Sequence, residues 1–188
     1  MEIWYALTGQ VDRREAQDFI KWLNDELYSK PVKTLRLLIA SSGKGEIATG
    51  INLYTYLKAL PVDVETIAFG ELDVASILFF LGGRKRLVVQ GCQFYFREGR
   101  YTIADPSAPL NALEEAVEVF RREQREMLDI LSRESGGDVE VIGHMLRRSR
   151  ILEADDAKKF KFAHRVIEKL PLQQQQQIGF VDQPEGEA

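Results

Sequence analysis

The chain has 188 residues, 45% of them hydrophobic, enough for one substantial core and few enough for a single domain with at most an appendage. Net charge is −4 and no basic stripe stands out, which argues against a nucleic-acid partner. The one cysteine, Cys92, excludes an intrachain disulfide framework, fits a reducing cytoplasmic setting, and reads as a small buried hydrophobe. The opening MEIWYALTG lacks the basic and apolar regions of a signal peptide, and no apolar run approaches the ~18 residues of a membrane span.

Ile3 to Thr8 reads as a strand closed by Gly9. Asp12 is placed to cap a helix from Arg13 to Leu27, whose Ala16, Phe19, Ile20, Leu23 and Leu27 share a face. Pro31 breaks the chain. Leu35 to Ala40 is a nearly continuous apolar strand, the kind that suits a parallel sheet covered on both sides. A small polar loop, Ser41 to Gly45, leads to a second helix with Ile47, Ile51, Tyr54 and Leu57 on one side, ended by Pro61. Val62 to Ala68 is the next strand. Alternating strands and helices imply βαβ units with right-handed crossovers.

The stretch Gly70 to Arg97 is the centre of this pattern. Leu72 to Leu81 is apolar on every side except at Asp73 and Ser76, so a helix there must be buried all round. Glu71 and Asp73 read as caps and dipole partners at its start. Arg86 to Phe96 reads as two strands, and the Arg84-Lys85-Arg86 cluster before them as a solvated or interface charge patch. A loop with Gly99, Pro106 and Pro109 precedes a long helix from Leu110 to about Glu134, whose acids come early and bases late. Gly136-Gly137 stops it. Asp138 caps another helix through Arg147, Glu153 to Lys161 gives a further turn or two, and Arg165 to Ile167 returns to the sheet. Residues 171–188 read as a disordered polar tail in which Ile178, Phe180 and Val181 form a weak docking motif.

In this order the segments resemble the proteolytic subunit of the Clp protease, ClpP. ALTGQVDRREAQDFIKWL is similar to its opening strand and helix. LRLLIASSGKGEIATGINLYTYL is similar to its strand ending in Asn-Ser-Pro-Gly-Gly and the helix beyond. VETIAFG resembles the strand before the nucleophile, and GGRKRLVVQGCQFYFR the turn and strand that carry the catalytic His. The helix from Leu110 resembles the handle helix, and RRSRILEADDAKKFKFAHRVIE the segment with the catalytic Asp. The likeness covers about residues 4 to 168. It implies an α/β ClpP/crotonase-like fold, a spiral of βαβ units over residues 1–170 with a projecting helical handle at about 105–150. Active members stack heptameric rings and receive unfolded substrate from a AAA+ unfoldase.

The same resemblance points to three catalytic positions, and none carries the expected group. The nucleophile position falls on Val74, the His position on Arg97 and the Asp position on Ser149. Arginine stays protonated and cannot serve as a general base. The oxyanion loop, Gly43-Lys44-Gly45, holds one residue more than the family's Pro-Gly-Gly. In a shifted register Ser76 would be the nucleophile, but its bland reading is a small helix residue bonded to the carbonyl four residues back. The two histidines, His144 on a surface helix and His164 at the last strand, read as structural or surface residues. A carboxylate, Asp73 or Glu71, is set to pair with Arg97 across the cleft. The first strand begins at about residue 3, so the family's axial-loop segment is read as missing and an unfoldase is not an expected partner.

The leading expectation is therefore a catalytically silent ClpP-like protein, self-associating through its handle into a ring or joining ClpP-like subunits, in a structural, regulatory or peptide-binding role. The alternative is an active serine peptidase using Ser76. A third reading, acyl-coenzyme A binding as in crotonases, rests on fold analogy alone. No metal or other cofactor is expected.

Overall fold

The structure is a computed structural model that describes residues 1–41, 43, 45–98, 107, 109–172 and 178–179. Strand β1 (Glu2–Leu7) is followed by helix α1 (Arg13–Ser29), which starts where expected because the Asp12 carboxylate accepts the Glu15 N–H at 2.9 Å. Strand β2 (Thr34–Ser41), helix α2 (Ile47–Ala59) and strand β3 (Asp63–Leu72) complete two parallel βαβ units. Helix α3 (Val74–Leu81) and strand β4 (Lys85–Val89) add another.

Strand β3 runs four residues beyond its expected end, and in doing so it changes partners. Glu65 to Ala68 pair with Lys85 to Val88 of β4, whereas Glu71 and Leu72 pair with strand β5 (Gln93–Tyr95). Gly70 stands between the halves with φ of +64°, a conformation that glycine adopts without Cβ strain. The neighbouring β2 shifts register between Ile39 and Ser41 at the same level.

Helix α4 (Leu110–Ser135) ends at Gly136 in the left-handed conformation. Helix α5 (Val139–Arg147), capped by Asp138, leads to strand β6 (Ile151–Glu153), which pairs antiparallel with β5. Helix α6 (Ala154–Lys159) and strand β7 (Arg165–Ile167), parallel to β4, close the head. Strand β8 (Ile178–Gly179) lies parallel on the outer edge of β1, so two residues of the segment expected to be a disordered tail take part in the sheet.

The helices α1, α2 and α3 bury one face of the sheet, with Phe19, Leu37, Phe79, Phe80 and Leu81 at the centre. The other face carries a thinner cluster of Trp4, Ala6, Leu38, Ile67 and Leu87, bordered by a row of charges. There Arg36 bridges Glu2 and Glu65, each at 3.1 Å, and Lys85 pairs with Glu65. Helix α4 is split by burial. Met127, Ile130 and Leu131 enter the core, whereas Leu110 and Val117 near its start are 71% and 44% exposed.

Candidate functional site

The site lies at the N-terminus of α3. All eight of its residues are buried, so the helix has no solvent face, and its free N–H groups must find partners inside the protein. Asp73 supplies one of them. Its Oδ1 accepts the Ser76 N–H at 2.9 Å, and its Oδ2 accepts the Gly45 N–H from the loop after β2 at 2.8 Å. The Asp73 N–H donates in turn to the Ser41 carbonyl at 3.0 Å.

Close approach makes this possible. A Cβ on Gly45 would lie 2.7 Å from the Ala75 Cβ and 2.9 Å from Asp73 Oδ2. A Cβ on Gly50 would lie 2.6 Å from the Ala75 carbonyl oxygen, so α2 presses backbone to backbone on the first turn of α3.

Ser76 is fully buried. Its hydroxyl has one proton and three acceptors in reach: Asp73 Oδ1 and the Asp73 carbonyl, both at 2.9 Å, and the Ser41 carbonyl at 3.3 Å. The bond expected to the carbonyl four residues back is made instead to the carbonyl three residues back, that of Asp73, and is shared with the cap. Val74, two residues earlier, is buried as well.

The other two positions, Arg97 and Ser149, lie on neighbouring segments. β5 pairs antiparallel with β6, with Tyr95 opposite Ile151, and the Phe96 N–H donates to the Arg150 carbonyl at 2.8 Å. Continued one step, this register sets Arg97 level with Ser149. Both are exposed. Ser149 sits in a left-handed turn after α5 with φ of +50°, its N–H donating to the Leu146 carbonyl at 3.0 Å. The Arg97 guanidinium lies over the Tyr95 ring at 5.0 Å, and the Tyr95 hydroxyl reaches Gln93 at 2.9 Å and Glu71 at 3.3 Å. Arg97 forms no salt bridge with Asp73 or Glu71 among the described residues. Asp73 is turned inward onto N–H donors, and Tyr95 stands between Glu71 and Arg97. Within the loop, Gly43 is exposed and Lys44 lies outside the described residues.

Neither histidine reaches this site by a described contact. His144 is exposed on α5. His164 Nδ1 accepts the Arg86 N–H at 3.1 Å, and its own N–H donates to the Arg86 carbonyl at 2.9 Å. Partial burial lowers the His164 pKa, and the positive charges of Arg86 and Lys58 push the same way against the opposing pull of Glu134. Cys92 is buried, and burial pushes its thiol up to about 12, far from a reactive thiolate.

Sequence reasoning missed a second polar centre, at the base of α4. Arg86, read as part of a solvated patch, is buried. The strand pleat separates it from Lys85, which faces the charge row on the opposite side of the sheet. Arg86 pairs with Glu134 and also donates to the Glu134 and Lys161 carbonyls, each at 3.3 Å. Glu134 further accepts from Tyr54 at 2.7 Å and Lys58 at 2.9 Å, and Arg133 donates to the Tyr54 hydroxyl at 3.1 Å. Burial alone would raise the Glu134 carboxyl pKa, but the hydrogen bonds from Tyr54, Lys58 and Arg86 outweigh it and hold the group below its ordinary range. An i,i+4 Tyr54–Lys58 spacing pointing at a lone Glu near the end of α4 was the available signal, but nothing in the sequence joins residues 80 apart.

A mostly parallel sheet wound by βαβ units, a buried helix whose first turn abuts a glycine loop, and a long half-exposed helix define a ClpP/crotonase-like fold. The chain belongs to the Clp protease family, whose model matches residues 2–170. It is 29% identical over 166 residues to the ATP-dependent Clp protease proteolytic subunit 3 of Rhodococcus jostii, covering 86% of this chain and 79% of that one. It is 22% identical to the corresponding subunit 2 of Treponema pallidum, covering 87% and 81%. Among solved structures it is similar to a peptidase from Plasmodium falciparum (TM-score 0.75, 19% identity, 89% of this chain and 96% of that one). A variant of ClpP1 from Listeria monocytogenes matches with a TM-score of 0.74 at 18% identity, over 89% and 91% of the two chains.

Proposed function

We propose that this Clp protease family member is catalytically silent and acts as a structural, regulatory or peptide-binding subunit of an oligomer. The observation that carries the reading is the engagement of Asp73. Its carboxylate already holds the Gly45 N–H, in the loop where the family resemblance puts an oxyanion donor, together with the Ser76 N–H and hydroxyl. An oxyanion forming there would meet a negative charge instead of a free donor. The candidate nucleophile is fully buried, and among the described residues no imidazole is bonded to it. Valine at 74 and arginine at 97 supply neither a nucleophile nor a base.

Assembly through α4 is supported by the exposed apolar residues Leu110 and Val117 on its free half. Partners of the same chain, or ClpP-like subunits, fit a surface of that kind.

The second reading, a hydrolase using Ser76, draws on one observation, the carboxylate oxygen 2.9 Å from its hydroxyl. A fluorophosphonate probe separates the two. The silent reading expects no labelling of the folded protein. Labelling that disappears in Ser76→Ala would overturn it. Native mass spectrometry tests the assembly: oligomers that fall apart with Leu110→Glu and Val117→Glu are expected, and a monomer at micromolar concentration removes the self-associating role.

A further inference from the structure

Past Glu2, the outer edge of β1 lacks the charges, prolines and bulges that keep sheet edges from pairing. Its residues from Ile3 to Leu7 are all buried. By composition it is an internal strand standing at an edge. The partner that completes it is β8, which pairs in parallel with Trp4 opposite Ile178 and Tyr5 opposite Gly179. The chain leaves the head close to this edge, because Leu170 packs against the cluster that contains Trp4, only eight residues before Ile178. A tether of that length keeps the segment near the edge at an effective concentration on the order of millimolar.

We propose that the β1 edge is a docking site for a short, extended, uncharged segment running parallel to it, and that residues 178–179 of the same chain are its resident occupant. Main-chain hydrogen bonds supply the attraction, as in other strand additions to open sheet edges. The resident segment then acts as a strap: a free segment of like chemistry gains the edge only when the strap is off it. A two-residue pairing is short enough to open without unfolding the head, which is held by the helices on the covered face.

The test uses the full-length protein and its variant carrying Ile178→Pro and Gly179→Pro, which removes both main-chain donors of β8. A fluorescent peptide of residues 173–188 is titrated into each, and backbone exchange along residues 3–7 is followed by hydrogen–deuterium mass spectrometry. Faster exchange of β1 in the variant, and peptide binding at least about tenfold tighter to the variant than to the natural chain, support the proposal. The peptide should then restore the slow exchange, and a peptide bearing the same two prolines should not. Equal binding to both proteins, binding to neither, or unchanged β1 exchange would overturn it. Oligomers of the natural chain that dissociate in the variant would also overturn the resident strap, since the segment would then be serving a second copy.

Discussion

Two half-buried carboxylates of this molecule, Asp73 and Glu134, are satisfied in opposite ways. Asp73 is held by backbone N–H groups and one hydroxyl, all within a loop and a single helical turn. Glu134 is held by side chains reaching from α2 and β4. The first arrangement is local and ties the loop after β2 to the first turn of α3. The second is long-range and fastens the half-exposed α4 to the head. The contrast teaches that a carboxylate kept away from water can serve either of two ends: one closes a helix start onto a neighbouring loop, and the other holds up the architecture.

The sharpest way to break this comparison is at Glu134. Glu134→Ala leaves Arg86 buried with its charge uncompensated, at an expected cost of about 3–5 kcal/mol in denaturant unfolding. Replacing both partners, Arg86→Met with Glu134→Leu, should recover most of that loss, and failure to do so would show that the network matters beyond the pair.

At the α3 end the largest effect should come from packing. Gly50→Ala would drive a methyl group into the Ala75 backbone, with an expected loss of about 1–3 kcal/mol or more, read as a lower unfolding midpoint. Asp73→Ala should cost less, about 1 kcal/mol, the usual value of a lost N-cap. It should leave the protein without peptidase activity, because freeing the Gly45 N–H restores a donor but no base. Measurable peptide hydrolysis by that variant would mean that Asp73 alone had silenced the site.

The smallest effect is a pH dependence at the α4 end. His164 faces Arg86, Lys58 and Glu134, and its folded pKa lies below the ordinary value of 6.5. The folded state therefore resists protonation, so its stabilising share is full above that value and is lost as pH falls below it. Unfolding midpoints taken downward from pH 7.5 should decline less in His164→Gln than in the natural chain. Parallel curves would remove His164 from the balance.

The parallel sheet, the capped α1, the all-apolar α3 and the long α4 could be read from the sequence because each rests on local spacing: one apolar face, one cap, one stop. Arg86 was misread for the opposite reason. Its burial depends on which side of β4 faces α4, and three consecutive basic residues do not reveal a pleat. The bond from Gly45 to Asp73 was also hidden, since it spans 28 positions and depends on two glycines letting backbones touch. The pairing of β8 with β1 escaped because a two-residue strand has no periodicity to detect.

Gly70 has a mechanical consequence. Because β3 passes through it from one set of neighbours to another, the lip bearing Arg97 and Ser149 is joined to the central sheet by continuous main chain and not only by side-chain contact. Anything that pulls on β5 pulls on β3 directly. A subunit bound at that lip would therefore grip the rest of the head as one grips a tool by its tang.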